Sequence, residues 1–367
     1  MRLALTACSA LYARELVETE GDVPGRRIFF GRVTEPLPAI ADPAFNFRTC
    51  RLLAWAADRL QPQLDEFLSR HGRDRVAVVL GTSNTGVDEA QDFMDVSFSR
   101  AGDDAGRFPR DFRFSMIELG TPTDYLAKAL GVTGPAYTIS TACSSSAKVF
   151  ASARRLIKAG FCDAAVVGGV DGRCRFAMNG FHALGALAQG RCRPLAADRD
   201  GICLGEGVAL FLMEGRGARP ARPNGTPVVY FAGAGETSDA YHATAPEPEG
   251  CGAEAAMRAA LAEAGCGPDG IDYINLHGTG TRANDEMEMK AVCRVFGEKL
   301  PLVESTKDRT GHCLGAAGAV EAAICWEKIR RGEIHRALSN SFAFGGSNAS
   351  IVLESEGAAD AKREGGA

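Results

Sequence analysis

The chain has 367 residues, of which 46% are hydrophobic, and a formal net charge of -5. This composition is enough for one large or two ordinary globular domains and excludes a disordered or fibrous chain. The weak negative charge gives no general attraction to nucleic acid or to an anionic membrane, and no apolar run is long enough to span a bilayer. We therefore expect neither nucleic acid nor a membrane as a partner.

Cysteine usage and the first residues of the chain indicate a reducing compartment. The 12 cysteines are scattered, with no CxxC pair and no Cys/His spacing typical of a metal site. They predict buried thiols rather than a disulfide framework or a metal centre. Arg14 and Glu15 interrupt the first apolar stretch, so it lacks the apolar core of a signal peptide. We expect a cytoplasmic protein.

Short apolar runs ending in glycine-containing turns alternate along the chain with helical patterns. The runs predict buried strands at residues 76–83, 164–172, 207–215 and 271–281. The helical patterns cover residues 145–159, 252–264 and 316–331. Strands that alternate with helices in this way predict an α/β fold.

One segment without periodicity divides the chain. Residues 214–226 are rich in Pro, Gly and Arg, which is typical of a connection between two units. Because strands and helices of similar kind lie on both sides, we predict two similar halves, residues 1–215 and 227–353. The small and charged residues 354–367 predict a disordered tail.

The tetrapeptide TACS occurs twice, with Cys8 and with Cys143. Nothing around Cys8, in an alternating strand pattern, would activate a thiol. Cys143 follows the predicted strand AYTIS and precedes a predicted helix, where free backbone N–H groups and the helix dipole lower the pKa of a thiol. Cys143 is therefore a candidate nucleophile, and a buried structural cysteine is the other interpretation.

Two of the six histidines lie where α/β proteins place working groups. His277 follows a predicted strand in NLHGTGT, and His312 precedes a small-residue helix in TGHCLGAAG. The remaining histidines lie in charged or loop surroundings, with His242 intermediate between the two groups. We expect His277 and His312 to be partners of a cysteine nucleophile.

The chain resembles the β-ketoacyl-acyl-carrier-protein synthases, the elongating condensing enzymes of the thiolase superfamily, over nearly its whole length. The resemblance lies in TACSSSAKV at 141–149, RPLAADRDGICLGEGVALFLME at 193–214 and SDAYHATAP at 238–246. It continues in HGTGTRANDEMEM at 277–289, STKDRTGHCLGAAGAVE at 305–321 and NSFAFGGSNASIVLE at 340–354. The order and approximate spacing of these motifs agree with the family. The resemblance implies a thiolase-like layered αβαβα fold made of two similar halves.

The resemblance also implies roles for particular residues. Cys143 would carry the acyl group as a thioester, and His277 and His312 would stabilise the enolate left by decarboxylation of malonyl-carrier protein. Lys307, paired with Glu321, would set the electrostatics of the site, and the backbone N–H groups of Cys143 and Phe344 would form an oxyanion hole. Further residues implied by the family would bind the phosphopantetheine arm or support the loops: Thr244, Thr279, Thr281, Asp285, Glu288, Gly345 and Gly346.

The implied partners are an acyl carrier protein and a second ketosynthase-like subunit, identical or not, with no metal and no cofactor beyond the carrier's arm. Two departures concern the substrate: Ala343 replaces a more usual glycine, and residues 332–339 are shorter than in relatives. The short segment leads us to expect a specialised synthase in fatty-acid, polyketide or aryl-polyene-type biosynthesis. Phe108, Phe112 and Phe114 are expected to line the pocket or a dimer contact, or to form a buried aromatic cluster.

Three alternatives remain open. A non-catalytic subunit that sets chain length would lack the nucleophile, whereas Cys143 is present. A degradative thiolase would carry a second cysteine near the C-terminal motif, where Asn348 stands instead. A dinucleotide-binding enzyme would show a strand followed by GxGxxG, and no such motif occurs.

Overall fold

The structure is a computed structural model that describes residues 1–99, 107–109, 112–215 and 225–358. Residues 216–224 of the predicted connection and residues 359–367 of the predicted tail lie outside these ranges. The last strand runs to Ser355, so the first residues assigned to the tail belong to the fold.

The described residues form 13 strands, which we number in chain order. They are β1 Leu3–Tyr12, β2 Val17–Val23, β3 Arg26–Gly31, β4 Val76–Gly81, β5 Ala136–Ile139, β6 Ala164–Asp171, β7 Leu204–Gly205, β8 Gly207–Glu214, β9 Val229–Ser238, β10 Tyr273–Asn275, β11 Leu302–Glu304, β12 Arg336–Ala343 and β13 Ser347–Ser355.

The helices of the described residues are α1 Arg48–Arg59, α2 Gln61–His71, α3 Val87–Ser99, α4 Thr121–Leu130, α5 Ser145–Lys158, α6 Arg175–Ala183, α7 Cys251–Ala264, α8 Arg282–Phe296, α9 Lys307–Thr310 and α10 Ala317–Arg330. Short 3₁₀ turns occur at Phe114–Ile117, Pro268–Gly270, Leu314–Ala316 and Phe344–Gly346. The strands and helices predicted from periodicity are confirmed with ends shifted by a few residues, except that the run at 271–281 contains a strand of only three residues, β10.

Ten of the strands form one mixed sheet with the order β11-β10-β12-β13-β9-β1-β8-β6-β4-β5. The sheet contains an internal repeat that joins at the β1–β9 pair. From that pair outward, β8-β6-β4-β5 and β13-β12-β10-β11 have the same chain order and the same pattern of antiparallel and parallel neighbours. The predicted α/β fold of two similar halves is confirmed.

Alternate residues of the central strands face different cores, which produces the layers. In β4, Ala77 and Val79 pack with α5 and α10, whereas Val76 and Val78 pack with α1, α2 and α4. The corresponding outer face of the second half packs on α7 and α8. Because both faces are covered, these strands are continuous apolar runs rather than alternating ones.

Close packing of α5 explains two of the glycines that flank the site. A Cβ on Gly81 would lie 2.4 Å from the backbone nitrogen of Ser146, and one on Gly318 would lie 2.7 Å from that of Ala147. The absence of these side chains lets the first turn of α5 lie directly against β4 and α10.

Among the described residues, no helix combines the length and apolar character needed to cross a bilayer.

Candidate active site

Cys143 lies in the turn between β5 and α5, two residues before the helix begins. The preceding Ala142 has φ 53°, in the left-handed region that alanine rarely adopts. Ser145 holds this turn, since its backbone N–H and hydroxyl both donate to the Ala142 carbonyl. The turn directs the Cys143 side chain to the inner end of a cavity, where it is 5% exposed.

His277 and His312 converge on this sulfur from the second half of the chain. His312 Nε2 lies 2.9 Å from Cys143 Sγ. The two imidazole rings are nearly perpendicular, with centroids 5.2 Å apart. One nitrogen of each ring and the sulfur all lie within 4.8 Å of one another, so the three predicted residues form one buried cluster.

The thiol is not activated by a lowered pKa, contrary to the expectation from its position near a helix N-terminus. Burial raises the pKa of Cys143 to about 11, against the opposing effects of Lys307 and of the backbone N–H groups of Phe344 and Cys143 itself. Desolvation therefore outweighs the helix terminus. The two backbone groups that oppose the effect of burial are those of the predicted oxyanion hole.

Both imidazoles are neutral for the same reason. Burial lowers the pKa of His277 and of His312 well below the usual value, and the Lys307 ammonium lowers both further. Neither Nδ1 atom has a hydrogen-bond partner among the described residues. The site is thus a neutral thiol beside neutral imidazole, not a thiolate–imidazolium pair.

Lys307 is buried in the site rather than exposed on the surface. Its side chain is 1% exposed and forms an ion pair with Glu321, which is 3% exposed. The ammonium also donates to the His277 carbonyl oxygen at 2.5 Å. It therefore ties the end of β10 to α10 and places a positive charge close to both histidines.

Two acidic residues hold the loop that follows His277. Glu288 accepts hydrogen bonds from the backbone N–H groups of His277 and Gly278, both at 2.8 Å. Burial raises the pKa of Glu288 to about 7. Asp285 accepts from the backbone N–H of Gly280 at 3.2 Å and from that of Leu195 at 2.9 Å.

The Phe344 segment closes one side of the cavity. Gly345 and Gly346 have φ values of 81° and 74°, which favour glycine at both positions. Ala343 is extended, with φ -105° and ψ 154°, so alanine is unstrained there. The Phe344 ring contacts Phe181, with centroids 5.3 Å apart.

The cavity has a volume of about 210 Å³ and opens from Cys143 to the surface. Its wall includes the three predicted threonines Thr244, Thr279 and Thr281. Thr279 and Thr281 hydroxyls lie 3.0 Å apart, and Thr281 also caps α8 by accepting from the Asn284 N–H.

The aromatic segment after α3 differs from the expectation. None of Phe108, Phe112 and Phe114 lines this cavity, and Phe108 and Phe114 are 47% and 66% exposed. The pocket-lining interpretation is therefore wrong for this cavity. Phe108 stacks on Phe112, with ring centroids 4.4 Å apart, and Phe112 contacts Phe93, so an aromatic cluster forms, but it is partly exposed rather than buried. A dimer contact stays a prediction.

Two residues of the site are not among those predicted from the sequence. Phe181, on α6, lines the cavity against Phe344, and no local pattern marked it. Asp171 ends β6 and accepts from Ser83 N–H, Asn84 N–H and Gly315 N–H, so it joins the loops of the two halves beside His312. Its place at the carboxyl end of a predicted parallel strand could have identified it.

The Cys143, His277 and His312 cluster has donor atoms suited to zinc. The buried Lys307 ammonium lowers the pKa of both histidines, and the same field opposes a divalent cation. The prediction of a site without metal rests on the absence of ligand spacing in the sequence, and this charge is a second argument for it. The geometry instead suits a cysteine nucleophile served by two neutral imidazoles and two backbone N–H groups.

Comparisons with known proteins identify the family. The models described as beta-ketoacyl synthase, N-terminal domain, and beta-ketoacyl synthase, C-terminal domain, match residues 61–219 and 229–340. The chain is 32% identical over 327 residues to 3-oxoacyl-[acyl-carrier-protein] synthase 2 of Staphylococcus aureus, covering 80% of this chain and 79% of that one. The chain belongs to the β-ketoacyl synthase family.

Two further comparisons concern a similar protein and a solved complex. Nodulation protein E of Rhizobium meliloti is 36% identical over 259 residues, which is 62% of this chain and 64% of that protein. A solved complex of a ketosynthase with its chain length factor from Xenorhabdus doucetiae contains a chain that is 38% identical, with TM-score 0.89. The match covers 96% of this chain and 98% of that chain.

Proposed function

We propose that this protein is a β-ketoacyl synthase, an acyltransferase that joins an acyl group held on Cys143 to a malonyl group by decarboxylative Claisen condensation. The observation that carries the proposal is the convergence of Cys143, His277 and His312 within 4.8 Å at the buried end of one cavity. Family membership and the complete set of three residues support it.

In the first half-reaction, Cys143 Sγ attacks the carbonyl carbon of an acyl thioester. His312 Nε2, at 2.9 Å, takes the thiol proton and returns it to the departing carrier thiolate, so the step is balanced. The N–H groups of Phe344 and Cys143, both of which act to lower the pKa of the thiol, stabilise the tetrahedral oxyanion. General-base assistance is needed because the buried thiol has a raised pKa.

In the second half-reaction, malonyl thioester enters the vacated cavity and loses carbon dioxide. The electron pair of the broken bond moves to the thioester oxygen, where His277 and His312 donate to the resulting enolate. The enolate carbon then attacks the Cys143 thioester, and Cys143 leaves as a thiolate that takes a proton from solvent. A neutral imidazole retains one N–H, which can donate a hydrogen bond to the enolate oxygen.

An acyl carrier protein supplies both substrates in this proposal, with no metal and no further cofactor. Thr244, Thr279 and Thr281 line the cavity and offer hydroxyl groups to the amides of a phosphopantetheine arm. The S. aureus relative is named 3-oxoacyl-[acyl-carrier-protein] synthase 2, and the acyl carrier protein in that name supports this partner.

We infer that the protein works as a dimer, with itself or with a ketosynthase-like subunit. The Xenorhabdus ketosynthase is a complex with a chain length factor, which supports the heteromeric form. A chain-length-setting role for this chain itself is the second candidate. The complete Cys143, His277 and His312 cluster favours the catalytic role.

A specialised pathway is supported by the short link between α10 and β12, residues 331–335. The S. aureus match covers 79% of that synthase, whereas the match to the Xenorhabdus chain covers 98%. We propose a synthase of fatty-acid, polyketide or aryl-polyene type that acts in the cytoplasm. No disulfide is found among the described cysteines, which supports a reducing compartment.

The test is intact-mass analysis after incubation with acyl-carrier thioesters of several chain lengths and types. We expect a single adduct on the wild-type protein and none on Cys143→Ala. Cys8→Ala, which removes the cysteine of the other TACS copy, is the matched control and should acylate like wild type. An adduct that persists in Cys143→Ala would refute the proposed nucleophile.

A further inference from the structure

Lys148, on the second turn of α5, has an unusual environment for a lysine. It is half-buried, and burial lowers its pKa, as does the nearby Arg155. Within the described residues no ion pair neutralises it, and Glu236, which acts on it from a distance, is bound to Arg155. A cation near the positive end of a helix dipole is also unfavourable, so this lysine destabilises its surroundings unless a contact offsets the effect.

That contact is to the segment that carries Phe344. Lys148 Nζ donates to Ser347 Oγ at 2.6 Å. The same hydroxyl lies 3.1 Å from Ser144 Oγ, and Ser144 directly follows Cys143. Lys148 and Ser144 therefore bind the base of the Phe344 segment to α5 and to the turn before it, which carries the nucleophile.

The segment between Phe344 and Ser347 is the turn that joins β12 to β13. Gly345 and Gly346 are both in the left-handed region, and the Phe344 ring is only partly buried. Sheet pairing of Ser347 with Ala343 and Ser238 and backbone hydrogen bonds to the loop after β9 hold this turn to its own half of the molecule. The Lys148 contact instead sets the segment's distance from the nucleophile turn.

We propose that Lys148 is a positioning residue that acts through Ser347 to hold the Phe344 segment against the turn that carries Cys143. This inference rests on the proposed function for its catalytic consequence, since the Phe344 N–H would stabilise the acylation oxyanion. The geometry of the tie itself does not depend on that function.

The test compares Lys148→Met and Ser347→Ala with Lys158→Met, which removes an exposed lysine at the last residue of the same helix. Single-turnover acylation by an acyl-carrier thioester should slow by about 10- to 100-fold in each of the first two variants, because a displaced oxyanion donor loses part of its effect. Alkylation of Cys143 by iodoacetamide at pH 8 should slow by about tenfold, since an N–H that favours the thiolate is displaced. Lys158→Met should match wild type in both assays.

Ser347→Ala separates positioning from charge, because it breaks the tie and keeps the ammonium. The double variant Lys148→Met/Ser347→Ala should be within about twofold of the slower single variant, as expected for two residues of one contact. Rates of both single variants within about twofold of Lys158→Met, or losses that multiply in the double variant, would overturn the proposal.

The alkylation assay keeps the two proposals distinguishable. If no thioester acylates the wild-type protein, the proposed function fails, and slower alkylation in Ser347→Ala would still support positioning by Lys148. If the wild-type protein acylates and both variants acylate and alkylate normally, only the role of Lys148 is refuted.

Discussion

Replacing Lys307 by Met should lower the free energy of unfolding by a measurable amount. Lys307 and Glu321 are 1% and 3% exposed, so the substitution leaves a carboxylate buried without its partner. Breaking a buried pair from one side costs about 3–5 kcal/mol. The surface pair of Lys290 and Glu249 is 47% and 63% exposed, and Lys290→Met should cost about 1 kcal/mol or less.

The destabilisation should depend on pH, with a sign set by Glu321. Burial raises the pKa of Glu321 above its unfolded value, so without Lys307 the folded state binds a proton that the unfolded state releases. The stability lost in Lys307→Met should therefore increase as the pH rises above the ordinary Glu value. Urea denaturation at pH 6 and pH 8 measures the free energies of unfolding.

The double variant Lys307→Met/Glu321→Leu separates the two roles. An apolar pair should recover most of the stability, because a well-packed replacement of a buried ion pair is often neutral. Acylation should stay impaired, since the charge near the histidines and the bond to the His277 carbonyl are still missing. Equal unfolding free energies for Lys307→Met and Lys290→Met, or an active double variant, would refute this reasoning.

Three further predictions concern protons and metals. The rate of Cys143 alkylation by iodoacetamide should rise steadily from pH 6 to pH 9, because the thiol pKa is about 11 and both imidazoles are neutral; a plateau in this range would indicate a thiolate–imidazolium pair. The pKa of Glu288 rises from 4.5 to about 7 on folding, so this carboxyl binds more protons in the folded state. The free energy of unfolding should therefore fall as the pH rises from 4.5 to about 7. Urea denaturation of Glu288→Gln should show a smaller fall, and an unchanged slope would contradict this. Prolonged EDTA dialysis should leave acylation unchanged, and a loss that zinc restores would contradict the site without metal.

Much of the fold could be predicted because buried strands leave continuous apolar runs. β4, β6 and β8 were identified in this way, and each is buried on both faces. The β2–β3 hairpin was not predicted, since its partly exposed strands follow no clear alternation. The pairing of β1 with β9 joins distant parts of the chain, and nothing local encodes it.

Residues of the site could be predicted where a reactive side chain lies in a loop next to a strand or a helix. His277 and His312 each lie just after or before such an element, and the structure brings both to Cys143. The state of the thiol was not predictable, because burial outweighs the helix terminus and depends on contacts across the whole molecule. The contact of Lys148 with Ser347 spans 199 positions, so the sequence pattern could not indicate it.

The most direct test of the account is a stoichiometric condensation. Protein acylated on Cys143 is mixed with malonyl-carrier protein. The amounts of carbon dioxide and of β-ketoacyl-carrier protein are then measured in the same reaction. We predict one of each per Cys143 thioester consumed, with neither product from Cys143→Ala. Carbon dioxide without a new carbon–carbon bond, or release of the acyl group as free acid alone, would contradict it.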